Sequence, residues 1–135
     1  MKGSVRRLVR ARAADRCEYC RLTQRSAPLV GFHLEHIIAR QHGGTDNADN
    51  LCWSCHRCNL SKGPNLTGID PKTGRLTPLF HPRRQHWRRH FRFDGPVIVG
   101  VTRVGRTTVA VLDMNAAQRV ELRRQLLAAG ESPGG

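Results

Sequence analysis

Acidic residues are scarce in this chain. Ten Asp and Glu stand against 23 Lys and Arg, a formal net charge of +13, well above the magnitude of about 2 to 8 that suits the solubility of a small domain. Solubility alone therefore does not account for it. The arginines recur along most of the sequence, and such a field attracts polyanions and steers their approach. Nucleic acid, DNA in first place, is the expected partner, because neutralised phosphates release counterions and that release drives binding.

Aromatic residues are also few, 5% of the chain, and hydrophobic residues reach 39%. A core of that kind is modest, and a metal clip would help to hold it. No apolar run approaches the roughly 20 residues that span a bilayer, and MKGSVRRLVRARAADR lacks the apolar segment of a secretory signal. No membrane association and a cytoplasmic location are expected. Residues 1–16 are Arg-rich and acid-poor, as in a transit peptide, but they run directly into Cys17 and read more simply as a basic helix. There is no Ser/Gly-rich linker and no internal repeat, so 135 residues are read as a single domain.

Against these absences stand five cysteines, four of them in two CxxC pairs: Cys17 with Cys20, and Cys55 with Cys58. In a reducing compartment such pairs bind metal more often than they form disulfides. Two knuckles supply the four thiolates of a tetrahedral structural zinc site, closed and non-catalytic. Cys52 and Cys55 share the same spacing. Cys52 follows Leu51 in a probable strand, however, and reads as a buried small thiol. No thioredoxin-like βαβ pattern surrounds the pairs, which argues against redox chemistry.

Apolar spacing at Val5, Leu8 and Val9 predicts an amphipathic helix over 3–14, with arginines on a solvated or phosphate-facing side. GFHLEHII alternates as a strand, residues 39–50 form a Gly-containing loop, Leu51–Trp53 returns as a short strand, and a short helix follows Cys55 until Gly63-Pro64. Residues 65–82 read as irregular, with a turn over 70–74. HPRRQHWRRH surrounds Trp87 with cations. FRFDGPVIVGV reads as a hairpin, and Thr102–Leu112 as a helix. Asn115 is the expected N-cap of a final helix whose apolar stripe is Val120, Leu122, Leu126 and Leu127, with Gly130 at its end and a frayed tail over 131–135.

Between the knuckles lie groups suited to phosphodiester hydrolysis. A histidine near neutral pH can take a proton from water. Glu35 and Asn59 offer hard oxygen donors, which favour Mg²⁺ or Mn²⁺ over a second zinc. Adjacent residues on a regular strand face opposite ways, so Glu35 and His36 can share one phosphate only if the strand ends or twists there. His33 shares the face of Glu35 and is a rival ligand.

These residues carry a resemblance. LEHIIARQHGGTDNADNL followed by CxxCNLSKG resembles the HNH endonuclease family over residues 17–63, and IDPKTGRLTPLFHPRRQHWRRHF resembles the tail of bacterial members. The resemblance implies an α+β fold: a ββα-metal core with its four-cysteine zinc site, flanked by the basic N-terminal helix (1–16) and a basic accessory region (64–130) with a hairpin and helices. It implies Glu35 and Asn59 as ligands of the catalytic cation, His36 as general base and Asn50 as the residue that orients it. Two departures stand out: Glu35 replaces the commoner Asp, and Asn59 replaces a common His.

The function expected is metal-dependent endonuclease cleavage by a monomer or homodimer, leaving 5′ phosphate and 3′ hydroxyl. Arg83, Arg84, Arg88, Arg89 and Lys62 are the expected nucleic-acid contacts, although Lys62 could instead cap the short helix. Trp87 stacks on a base or packs in the core. His42 and His56 read as exposed or phosphate-facing. Two rivals stay open, a zinc-stabilised module that binds nucleic acid without cutting and a zinc-stabilised module that binds an acidic protein.

Overall fold

In the computed structural model, which describes residues 3–134, the Arg-rich opening folds as α1 (Gly3–Arg12). Met1 and Lys2 of the expected basic helix, and Gly135 of the expected frayed tail, lie outside the described residues. The inward face of α1 is Val9 continued by Ala13, while Leu8 is exposed. Its arginines are partly structural. Arg6 and Arg10 lie over the Trp53 ring at 4.9 and 5.8 Å, and Arg12 donates to the carbonyls of Ala48 and Leu51, both at 2.9 Å.

The first knuckle follows, and then β1 (His33–His36) and β2 (Leu51–Ser54) pair antiparallel, Glu35 opposite Cys52 and His36 opposite Leu51. Helix α2 (His56–Lys62) starts directly after Cys55, whose Sγ accepts the Cys58 N–H at 3.4 Å. This is the expected ββα unit. The loop between the strands turns back on itself: a Cβ on Gly44 would lie 1.7 Å from the Ile38 carbonyl oxygen, so the close approach requires glycine there.

Residues 65–82, expected to be irregular, contain a hairpin of β3 (Thr67–Ile69) and β4 (Leu76–Pro78). Its strands are too short to announce themselves by alternation, and the anchor is polar. The Asp70 carboxylate, fully buried, accepts from Arg106 Nε and Nη2 at 3.0 and 2.9 Å, from Lys72 N–H at 3.1 Å and from Thr73 Oγ1 at 2.8 Å. Then come α3 (Trp87–His90), the expected hairpin β5 (Phe91–Asp94) and β6 (Val97–Gly100), α4 (Arg103–Val111) and α5 (Ala117–Ala128). Gly95, at φ 55°, opens the two-residue turn of that hairpin.

Two expectations about α5 are corrected. Asn115 is not its N-cap; its side chain bridges to β6, with Oδ1 accepting the Ile98 N–H at 2.9 Å and Nδ2 donating to the Ile98 carbonyl at 2.8 Å. The residues of α5 that are buried are Arg119 and Arg123, not the apolar stripe, because both guanidiniums find acceptors inside. Gly130 does close the helix, at φ 81°.

Trp87 packs in the core, stacked on Phe91 and Phe93 at 5.0 and 5.4 Å, with Nε1 donating to the Tyr19 carbonyl at 2.7 Å. One cluster of buried side chains runs from Val9 and Tyr19 through Trp53 to Phe80, Phe91, Ile98 and Met114. The fold is α+β, as expected. No helix among the described residues is long and apolar enough to cross a membrane.

Candidate zinc site and nuclease centre

The sequence places two cysteines on the turn after α1 and two at the start of α2, and the fold brings them together. The sulfurs of Cys17, Cys20, Cys55 and Cys58 all lie within 4.8 Å of one another, Cys20 to Cys55 at 3.7 Å. Zn–S bonds of about 2.3 Å in a tetrahedron set sulfurs about 3.8 Å apart, so the cluster fits a structural zinc. Cys52 stays outside it, buried against the Tyr19 hydroxyl at 3.8 Å, and burial pushes its thiol up to about 12. A neighbour that sequence reasoning missed is Arg119 of α5, whose Nη2 donates to Cys58 Sγ at 2.9 Å. Nothing local to residue 119 signals this contact.

The first knuckle is tied to β2 by backbone and side chain. Glu18 N–H donates to the Trp53 carbonyl, and Glu18 Oε2 accepts the Trp53 N–H, both at 2.8 Å. Arg83 ion-pairs with the same carboxylate and is largely buried. It is thus a strut between the accessory region and the knuckle, whereas Arg84, Arg88 and Arg89 are exposed.

Helix α2 lies along β1. His56 Nδ1 meets His33 Nε2 at 3.1 Å with the rings stacked, so His56 is half-buried against His33 rather than exposed; His42 is exposed. At the other end, Lys62 is 2% exposed and Nζ donates to the Ile37 carbonyl at 2.9 Å. Residues 56, 59 and 62 fall on one helix face. Asn59 lies between His56 and Lys62 on α2.

The Glu35 carboxylate is half-buried, and no side chain or backbone N–H among the described residues donates to it. Burial raises its carboxyl above the usual range, while Lys62 and His36 pull it down. Glu35 and Asn59 thus leave oxygen donors free for a hard cation, an environment that fits Mg²⁺ or Mn²⁺. Among the described residues, the four cysteines are the one group of three or more His, Cys, Asp or Glu close enough to share an ion.

His36 is the last residue of β1, where the strand has to end if it is to share a phosphate with Glu35. Its Nε2 lies 2.8 Å from Asp46 Oδ1. Asp46 was not singled out in the sequence, though it stands in the Gly-rich loop facing the His. Arg40 grips it from the other side, with Nη2 at 2.9 Å from both oxygens. The bonds to His36 first, and to Arg40 next, hold the Asp46 carboxyl below its usual value. The Asn50 side chain makes its hydrogen bonds to backbone groups of the loop and none to the His36 ring. Its Oδ1 accepts the Ile38 N–H at 3.0 Å, and its Nδ2 donates to the carbonyls of Ile38 and Thr45 at 3.0 and 2.8 Å. It closes the loop that carries Asp46.

Residues 17–65 match the family model described as HNH endonuclease. Over an alignment of 135 positions covering 82% of this chain, the sequence is 25% identical to Septu protein PtuA of Bacillus mycoides (strain KBAB4). The chain spans about a fifth of that relative, 19% of its length. No solved structure matches. The matched segment opens on the first knuckle cysteine and takes in Glu35, His36, Asn50 and the second knuckle with Asn59; over residues 17–65 the chain is similar to the HNH endonuclease family.

Proposed function

We propose that this protein is a metal-dependent endonuclease that hydrolyses phosphodiester bonds of DNA, residues 64–130 serving as a basic accessory part of the same domain. The observation that carries the reading is Glu35: a half-buried carboxylate without a hydrogen-bond donor, beside His36 and facing the helix of Asn59, inside a segment that matches the HNH family.

His36 is the general base. With Nε2 held by ionised Asp46, the proton on that nitrogen is fixed and Nδ1 keeps the lone pair that accepts a proton from water. The hydroxide so formed attacks phosphorus in line with the 3′ oxygen, leaving 5′ phosphate and 3′ hydroxyl. Glu35 and Asn59 would hold the divalent cation, which would supply positive charge to stabilise the leaving 3′ oxygen. Asn50 keeps the loop closed over His36. Arg84, which lies with Asn50 beside a depression of about 260 Å³, guides the backbone of the substrate with Arg88 and Arg89.

The test is nicking of supercoiled plasmid by the zinc-loaded protein, with Mg²⁺, with Mn²⁺ and with EDTA, beside His36→Ala. Nicking is expected to need the cation and His36. Plasmid binding without cleavage under every condition would overturn the proposal and leave a binding module in its place.

A further inference from the structure

Four thiolates around a divalent ion carry a net charge of −2 in a site where all four cysteines are buried. Buried charge without compensation is costly. The compensation here comes from outside the HNH segment. Arg119, only 8% exposed, donates from Nη2 to Cys58 Sγ at 2.9 Å and Cys55 Sγ at 3.8 Å. Nη1 is fixed in turn by the carbonyls of Leu112 and Asp113, at 2.8 and 3.2 Å. The planar guanidinium thus spans from sulfur to backbone, a reach a lysine lacks.

A cavity of about 230 Å³ opens beside the same sulfurs, lined by Cys20 and Cys55 together with Leu22, Phe32, Arg119 and Leu122. The Arg119 guanidinium stands on its wall. Arg123, one turn on, gives the internal comparison. It donates to the carbonyls of Pro96 and Met114 and to Asn115 Oδ1, so it docks the same helix without touching sulfur.

Resting on the reading that the four cysteines hold zinc, we propose that Arg119 is part of the zinc site: it offsets thiolate charge and retards loss of the ion, so that α5 and the HNH core are linked through the metal. The full chain is loaded with zinc, its zinc content measured, and release followed with a chromophoric chelator. Cobalt(II) substitution reports the thiolate-to-metal charge-transfer band. Partners of ligating groups change metal affinity by about 10- to 100-fold when removed. Arg119→Met is expected to release zinc faster by about that factor and to shift the cobalt band, while Arg123→Met, which removes a cation from the wall of the same cavity without removing a bond to sulfur, changes both much less.

Arg119→Lys keeps the charge without the span, and its release should fall between Arg119→Met and wild type; where Arg119→Met does not fold, this variant carries the test. Equal release from the Arg119 and Arg123 variants, or wild-type release from Arg119→Lys, overturns the assignment while the zinc site stands. A wild-type chain that takes up neither zinc nor cobalt on its cysteines overturns the zinc reading and this assignment together.

Discussion

Replacing Trp87 by Phe distinguishes a core residue from a nucleic-acid contact. The indole is 8% exposed, stacked between Phe91 and Phe93, and bonded through Nε1 to the Tyr19 carbonyl within the first knuckle. Phenylalanine keeps a stacked ring but deletes that donor, leaving a buried carbonyl at a cost of about 1–3 kcal/mol. Trimming the second ring leaves a small cavity worth about 1 kcal/mol more. For a chain of this length about 3–5 °C of Tm accompanies each kcal/mol, so a fall of roughly 6–20 °C is expected in zinc-loaded protein followed by circular dichroism. DNA affinity at fixed salt should stay as in wild type. A base stacked on Trp87 would be worth about 1–3 kcal/mol, or about 5- to 150-fold in affinity. An unchanged Tm with an affinity loss of that size would refute the packing argument.

His36→Ala is expected to lower nicking by about 10²–10⁴-fold while plasmid binding persists; Asn50→Ala and Asp46→Ala should each lose less, and equal losses in all three would remove the distinction between base and support. Arg83→Ala should lower Tm without changing the salt slope of DNA binding, because the side chain is spent on Glu18. Arg84→Ala, Arg88→Ala and Arg89→Ala should each reduce that slope by about 1, and the reverse pattern would place the DNA face elsewhere. Glu35 tests the sign of a pH effect. Its carboxyl is raised by burial, so the folded chain binds this proton more tightly than the unfolded one. The resulting stability is fully present below the ordinary carboxylate value and is lost as pH rises through the raised one. In Mg²⁺-free melts Glu35→Gln should lack that loss and gain on wild type at neutral pH; parallel curves for the two proteins would contradict the assignment.

What the sequence made legible was local. Each CxxC pair, the Glu-His step and the Cys58-Asn59 step is a motif of two to four residues, short enough for its own spacing to place its donors on one turn or one strand end. The strands of the ββα unit and the β5–β6 hairpin were readable for the same reason. Illegible were the polar contacts between distant segments: Asp70 with Arg106, Arg119 with Cys58, Asn115 with Ile98, Arg83 with Glu18. Each buries a residue that composition assigns to the surface, and the burial is tolerable only because the partner arrives from far along the chain. Helix α5 shows the consequence. Its apolar residues suggest one inward face, but Arg119 and Arg123, four positions apart, are the side chains that turn in.

The same contacts change how the charge of +13 should be read. Lys62, Arg83, Arg106, Arg119 and Arg123 are engaged with carbonyls, carboxylates or sulfurs inside the protein. Arg6, Arg10 and Arg12 are partly engaged with Trp53 and the backbone around β2. A count of basic residues therefore overstates the field that a phosphate meets. Exposed cations near the proposed centre include Arg40 on Asp46 and Arg84 beside the Asn50 loop, and Arg88 and Arg89 are exposed on α3. On the proposed reading, the charge offered to DNA and the charge that holds the accessory region on the first knuckle belong to neighbouring residues of one arginine-rich run. Arg83 and Arg84, adjacent in sequence, separate the two tasks: the first points to Glu18 and the knuckle, the second to solvent and the His36 loop.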